Sequence, residues 1–136
     1  MAASLARLAE SVVETTLKFA DLEDQLVVVG MGKLGGKELN YASDVDVMFV
    51  GDVSEKAALR VLDITRQCFR VDAALRPEGR DGPLVRSVAS YEEYWERWAR
   101  PWEFQALLKA RPIAGPAELS TQWSASATNA LWSRTF

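Results

Sequence analysis

The sequence predicts one α/β domain of the mixed, α+β kind, in which a small sheet is flanked by helices. Two short β-branched runs lie close together in the first half of the chain, an amphipathic helical pattern precedes them, and the last third is mostly helical in pattern. At 136 residues the chain has room for one domain with a modest core. Its 49% hydrophobic and 26% charged residues exclude a disordered or fibrous chain.

The elements follow in the order α, β, turn, β, α, β, short β and then helices. Helical spacing predicts a helix over residues 4–20, and β-branched runs predict buried strands over 25–30 and 45–50. A second helix begins after the N-cap residue Ser54, and strands are predicted over 71–75 and 83–87. Ser90 and Glu93 form a capping box that opens a helix to residue 98. Further helices are predicted over 101–110 and up to residue 134.

Composition excludes several classes of function. The chain has no histidine, which rules out histidine catalysis and histidine-bound zinc within it, and its single cysteine rules out an internal disulfide. The net charge of -3 argues against a nonspecific nucleic-acid binder. With no signal peptide or membrane-spanning run in the sequence, we expect a cytoplasmic protein that binds neither membrane nor nucleic acid.

A glycine-rich turn follows the first strand, over residues 30–36. Its glycines allow close approach of the backbone to a ligand, and Lys33 could meet a phosphate group. The spacing is not that of a Walker A loop. A plain connection between a strand and a helix explains this turn about equally well.

Asp44 and Asp46 lie two residues apart at the start of the second strand, so their side chains share one face. Two carboxylates at one point suit Mg²⁺, although an isolated pair of this kind is more often a solvated strand edge. Asp72 favours the metal site, because it is an acid within an apolar β-rich stretch, where an unpaired charge is costly. Three aspartates beside a glycine turn therefore predict a magnesium and phosphate site.

Positive and aromatic side chains could complete such a site. Arg76, Lys109 and Arg111 are candidates for phosphate contacts, as are Arg80 and Arg86, although ordinary surface exposure fits Arg80 better. Aromatic residues in the last third could stack on a base, but their helical spacing favours the core.

Three sequence blocks resemble the glutamine synthetase adenylyltransferase family, within the nucleotidyltransferase superfamily. They are GMGKLGGKELNYASDVD at 30–46, VDAALRPEG at 71–79 with GPLVRS at 82–87, and WEFQALLKARP at 102–112. The resemblance implies a polymerase-β-like palm over 1–89 with a helical extension over 90–136, as one part of a larger two-domain enzyme. Two short segments look more like the amino-terminal, adenylyl-removing half of that enzyme. They are ELNY at 38–41 and LKAR at 108–111.

The resemblance also implies a reaction and its residues. AMP is transferred from ATP to a tyrosine of glutamine synthetase, or removed by phosphate to give ADP, with Mg²⁺ as cofactor and a PII-type signalling protein as a possible regulator. Asp44, Asp46 and Asp72 are then the metal-binding and catalytic residues. The expected nucleotide contacts are Gly32, Lys33, Ser43, Arg76, Lys109 and Arg111.

Two other functions remain open from the sequence. One is nucleotidyl transfer to another acceptor, such as a small alcohol. The other is a remnant that binds nucleotide or glutamine synthetase without turnover, because the chain is far shorter than the family's enzyme and its stretch between Asp46 and Asp72 is short.

Overall fold

A computed structural model describes residues 2–36 and 44–133, without the side chains of residues 2, 3, 33 and 34. The helices are α1 (Ala2–Phe19), α2 (Gly32–Gly35), α3 (Glu55–Thr65), α4 (Val88–Arg97), α5 (Pro101–Leu107) and α6 (Ala117–Trp132), and a 3-10 turn spans Gly79–Asp81. The strands are β1 (Leu26–Met31), β2 (Val45–Gly51), β3 (Val71–Asp72), β4 (Val85–Arg86) and β5 (Arg111–Ala114). No helix in the described part of the chain is long and apolar enough to cross a membrane.

The sheet is built around β1, whose six residues are all buried. β1 pairs antiparallel with β2 on one side and with β5 on the other. The short strands β3 and β4 both pair parallel with β2, β3 at its beginning and β4 near its end. The result is the mixed α/β architecture that the sequence predicts, with a small sheet between helices.

Alternating residues of the sheet supply two cores. Val45, Val47 and Phe49 of β2 pack in one core with residues of α1 and α3. Met48 and Val50 face the other way and pack with residues of α4, α5 and α6, including the fully buried Trp123. Side chains at even-numbered positions of β2 therefore lie on the face that carries the last three helices.

Several predicted boundaries are wrong, each for a local reason. β3 ends after two residues because the Asp72 carboxylate accepts a hydrogen bond from Ala74 N at 2.8 Å, which turns the chain out of the sheet. α4 begins after Ser87, whose hydroxyl caps Ser90 N at 3.2 Å, three residues earlier than the predicted capping box.

The strand β5 was not predicted. Pro112 lies between two predicted helices, and the structure places it in an edge strand, opposite Val29 of β1. Proline is tolerated at a sheet edge, where its missing N–H leaves no ladder bond unmade. Residues 111–114 therefore belong to the sheet although they lie within the predicted helical extension.

A hydrogen-bond network that is buried at Tyr94 and Glu103 joins the loop after β3 to the helices. The Glu103 carboxylate is buried, accepts a hydrogen bond from Tyr94 Oη at 2.9 Å and caps the start of α5 through Arg100 N at 2.8 Å. Tyr94 Oη also accepts a bond from Glu78 N at 3.1 Å. Arg86 lies over the Tyr94 ring and donates to the Glu78 carboxylate at 2.6 Å. The loop over residues 76–82 is thereby fixed to α4 and α5.

Candidate functional site

The glycine turn leaves β1 and enters the single-turn helix α2, as the sequence predicts. Gly32 has φ +53°, a conformation that favours glycine. A Cβ at this position would stand 3.2 Å from Asp46 Oδ2. A side chain at this position would therefore crowd the carboxylate of Asp46.

Gly35 closes the turn against the segment that precedes β5. A Cβ here would lie 1.9 Å from the carbonyl oxygen of Lys109 and 2.5 Å from that of Gly30, both backbone atoms. We expect Gly35→Ala to lower the free energy of unfolding by about 2–3 kcal/mol, because the backbone must shift to admit the methyl group. Chemical denaturation measures the change. Ala89→Ser, which adds one atom at an exposed position of α4, is the control, and equal stability of the two variants would contradict this packing.

Asp46 and Asp72 are direct neighbours across the sheet. They are register partners on the parallel strands β2 and β3, so their side chains lie on the same face. Asp44 precedes β2 by one residue and has the same parity as Asp46. The fold thus brings the three predicted aspartates to one end of the sheet, next to the glycine turn.

These carboxylates repel one another. Burial, together with the negative charges of Asp72 and Asp44, raises the pKa of Asp46 from 3.8 to about 6. At neutral pH the ionised side chain of Asp46 is therefore held at a cost in free energy. Such a site favours a cation that offsets the repulsion.

Each of the other two carboxylates forms an ion pair with an arginine side chain. Arg70 Nε lies 3.3 Å from Asp44 Oδ1, and Arg80 Nη2 lies 3.9 Å from Asp72 Oδ2. Asp72 Oδ1 accepts a hydrogen bond from the backbone N–H of Ala74. Sequence reasoning missed Arg70, although its place directly before β3 was a signal for proximity to the aspartates.

The pair formed by Asp46 and Asp72 fits a divalent cation, because carboxylate oxygens are the ligands that Mg²⁺ prefers. No side chain at Gly32 crowds the carboxylate of Asp46. Within residues 2–36 and 44–133 there is no group of three or more histidine, cysteine, aspartate or glutamate side chains placed to hold a metal. The metal site of three aspartates therefore stays a prediction.

A cleft of about 850 Å³ opens between α3 and the loop after β3, and Asp44 and Asp72 lie in its wall. Part of the cleft wall is apolar and is formed by Leu59, Leu62 and Leu84. Its cations are Lys56, Arg66, Arg70, Arg76 and Arg80, against the three acids Asp44, Glu55 and Asp72. A surplus of positive charge next to two aspartates suits an anion that arrives with a metal ion.

Two of the predicted phosphate-binding residues, Arg76 and Arg111, form hydrogen bonds within the protein. Arg76 lines the cleft but donates to the carbonyl oxygens of Ala73, Gly82 and Arg80, so it braces the loop. Arg111 donates to Gly35 O at 3.1 Å and forms an ion pair with Glu10.

The remaining nucleotide-contact predictions concern three residues. Lys109 is exposed, and its carbonyl oxygen lies against Gly35. Ser43 and the side chain of Lys33 lie outside the described residues. Their predicted contacts with phosphate stay predictions.

The mixed sheet, the glycine turn after its central strand and the paired aspartates agree with a nucleotidyltransferase-like fold. A family model described as glutamate-ammonia ligase adenylyltransferase matches residues 1–67 and 57–126. The chain belongs to this family, as its sequence blocks predict.

Similar proteins include two bacterial enzymes, each named bifunctional glutamine synthetase adenylyltransferase/adenylyl-removing enzyme. The one from Mycobacterium tuberculosis (strain ATCC 25618 / H37Rv) is 44% identical over 144 residues, covering 97% of this chain and 14% of the relative. The one from Streptomyces coelicolor is 44% identical over 159 residues, covering 96% of this chain and 16% of the relative. The chain thus spans only a small part of the length of these relatives.

The alignments also show that these relatives are longer than this chain over the matched region. They extend over 144 and 159 positions, more than the 136 residues of the chain, so the relatives carry residues that it lacks. The two segments matched by the family model overlap at residues 57–67, within and just after α3. The short stretch between Asp46 and Asp72 stays a prediction.

Proposed function

We propose that this chain is a Mg²⁺-dependent nucleotidyl-transfer domain that adds AMP to, or removes it from, a tyrosine of glutamine synthetase. In the first direction the tyrosine oxygen attacks the α-phosphorus of ATP and pyrophosphate leaves. In the other, phosphate attacks the adenylyl phosphorus, ADP forms and the tyrosine oxygen leaves. Neither direction needs a histidine, and the chain has none.

The observation that carries the proposal is the register pair of Asp46 and Asp72 beside Gly32. A divalent cation bound there would neutralise phosphate charge and activate the attacking oxygen. Asp46 and Asp72 would hold it, and the absence of a side chain at Gly32 would leave space for the ligand. The names of the relatives support glutamine synthetase as the substrate protein.

The cleft beside the aspartates supports a nucleotide as the small ligand. It combines apolar side chains with a surplus of cations, so it offers contacts both to a base or ribose and to phosphates. Its loop is fixed through Tyr94 and Glu103, which holds the cationic wall in place for binding. We place the reaction in the cytoplasm, and the PII-type regulator stays a prediction.

The test is direct binding. We expect ADP and ATP to bind in the presence of Mg²⁺ and to bind at least about tenfold more weakly in chelator, because the ion neutralises repulsion between phosphates and aspartates. Isothermal titration calorimetry with and without Mg²⁺ measures the difference. Equal affinities in the two buffers, or no nucleotide binding at all, would contradict the proposal.

A further inference from the structure

Arg111 connects three segments that are far apart in the chain. It is the first residue of β5 and the register partner of Gly30 on β1. Its guanidinium donates from Nε to Gly35 O at 3.1 Å and forms an ion pair through Nη1 with the carboxylate of Glu10 on α1. Both charged side chains are largely buried, with 31% of Arg111 and 18% of Glu10 exposed. The guanidinium therefore lies between a carboxylate of α1 and the end of the glycine turn.

The glycine turn carries this contact to the proposed metal site. Gly36 N donates to Gly32 O at 3.0 Å, which closes the single turn of α2 and links the positions of its two ends. Gly35 packs so closely on the backbone carbonyl of Lys109 that it has no room for a methyl group. Gly32, at the other end, lies beside Asp46, where an added Cβ would be 3.2 Å from Asp46 Oδ2. A displacement of the Gly35 carbonyl would therefore alter the space beside the Asp46 carboxylate.

We propose that Arg111 and Glu10 are positioning residues of the nucleotide site. The Glu10 carboxylate orients the guanidinium, the guanidinium holds the Gly35 carbonyl, and the glycine turn is thereby fixed beside Asp46 where the metal ion and the nucleotide require it. The inference rests on the proposed function. It differs from the sequence prediction for Arg111, in which the guanidinium contacts phosphate directly, and it adds Glu10, which sequence reasoning missed.

Glu10→Ala separates the two roles of Arg111 by the sign of its effect. If Arg111 acts by positioning, loss of the carboxylate releases the guanidinium from Gly35, and the affinity for ADP in saturating Mg²⁺ falls by about three- to tenfold. If Arg111 instead contacts phosphate directly, the same change removes a competing negative charge, and the affinity rises. Isothermal titration calorimetry measures the affinity of Glu10→Ala and of Arg111→Gln, which should weaken binding by a similar factor.

The two residues should act as one unit. Glu10 acts on the turn through Arg111, so Glu10→Ala should have almost no further effect on ADP affinity in a chain that already carries Arg111→Gln. NMR gives an independent readout without nucleotide. The amide nitrogen of Gly36 is bonded to the Gly35 carbonyl carbon, so its chemical shift reports the hydrogen bond that this carbonyl accepts. We expect this chemical shift to change in both single variants.

Glu93→Ala and Arg97→Gln are the matched controls. They remove the same charges from an exposed ion pair on α4, in which Arg97 Nη1 lies 3.9 Å from Glu93 Oε1. We expect each to keep its ADP affinity within about twofold of the original chain and to leave the Gly36 amide unchanged. Thermal melts show whether each variant is folded at the titration temperature. Glu10→Gln, which keeps an acceptor for the guanidinium, replaces Glu10→Ala if the latter unfolds, with the same expected sign.

The outcomes distinguish this inference from the proposed function. Suppose that the original chain binds Mg²⁺ and ADP, but Glu10→Ala raises the ADP affinity or matches its control Glu93→Ala, the effects of the two substitutions add, or the Gly36 amide does not shift. The positioning role is then wrong and the proposed function stands. If the original chain binds no nucleotide, the proposed function is wrong and the positioning role falls with it.

Discussion

Asp46→Asn should abolish most of the Mg²⁺-dependent nucleotide binding while making the fold more stable at neutral pH. The binding loss is expected to reach about 10- to 100-fold, since losing a hydrogen-bonded or coordinating charge costs about 1.5–3 kcal/mol. The gain in stability arises because burial costs the neutral amide less than the carboxylate, and because the amide is not repelled by the charges of Asp72 and Asp44. Calorimetry measures the first effect and thermal or chemical denaturation the second.

The gain in stability should depend on pH in a defined direction. Folding raises the pKa of Asp46 from 3.8 to about 6, so the folded state holds this proton more tightly than the unfolded chain. The stability from this group is present below about pH 4 and is lost as the pH rises through about 6. Asp46→Asn should therefore stabilise the fold by about 1 kcal/mol at pH 7.5, after allowance for solvent screening, and by little at pH 4.

Asp52→Asn is the control for this variant. Asp52 follows β2 at the end opposite to Asp46 and is exposed. The substitution removes the same charge far from Asp44 and Asp72, so it should leave both nucleotide affinity and the pH profile of stability nearly unchanged. A loss of binding in Asp52→Asn as large as that in Asp46→Asn would show that net charge, and not the site, controls affinity.

The second large effect concerns turnover by the 136-residue chain tested by itself. Correct orientation of two reactants supplies about 7–11 kcal/mol, and the proposed substrate, glutamine synthetase, is a protein that would have to be oriented by a surface. The chain spans 14% of the length of its mycobacterial relative. Losing even half of the orientation energy would slow turnover roughly 300-fold or more relative to a full-length enzyme.

The assay follows ADP release from adenylylated glutamine synthetase in Mg²⁺ and phosphate, with a full-length relative measured beside the chain. Asp46→Asn in the same mixture reports any contaminating activity. Rates equal to those of the full-length enzyme would show that these 136 residues are sufficient to orient the substrate, and that the argument from positioning is wrong.

The strands that position the site could be predicted because their signals are local. β1 and β2 are short β-branched runs, and the period of two that places Asp44 and Asp46 on one face is a property of any strand. The proximity of Asp72 was inferred from an acid in an apolar stretch, and the register of β3 on β2 supports it. Local sequence is therefore sufficient to predict β1, β2 and the shared face of Asp44 and Asp46.

What could not be predicted depends on partners distant in the chain. β5 is a strand because β1, far earlier in the sequence, offers it an edge, although proline is uncommon within strands. Arg76 and Arg111 bear charges that suit phosphate, but the carbonyl groups and the carboxylate that they contact come from the folded loop and from Gly35 and Glu10. A residue type suggests a ligand, whereas tertiary contacts decide its partner.

The network around Tyr94 and Glu103 has a consequence for the speed of ligand entry. Because it fixes the backbone of the loop that carries Arg80, the exposed Arg80 side chain moves relative to Asp72 mainly by rotation about its own bonds. Rotamer changes of exposed side chains take picoseconds to nanoseconds, whereas closure of a lid takes microseconds or longer. Association of a small ligand with this cleft is therefore expected to be governed by diffusion and not by movement of the loop.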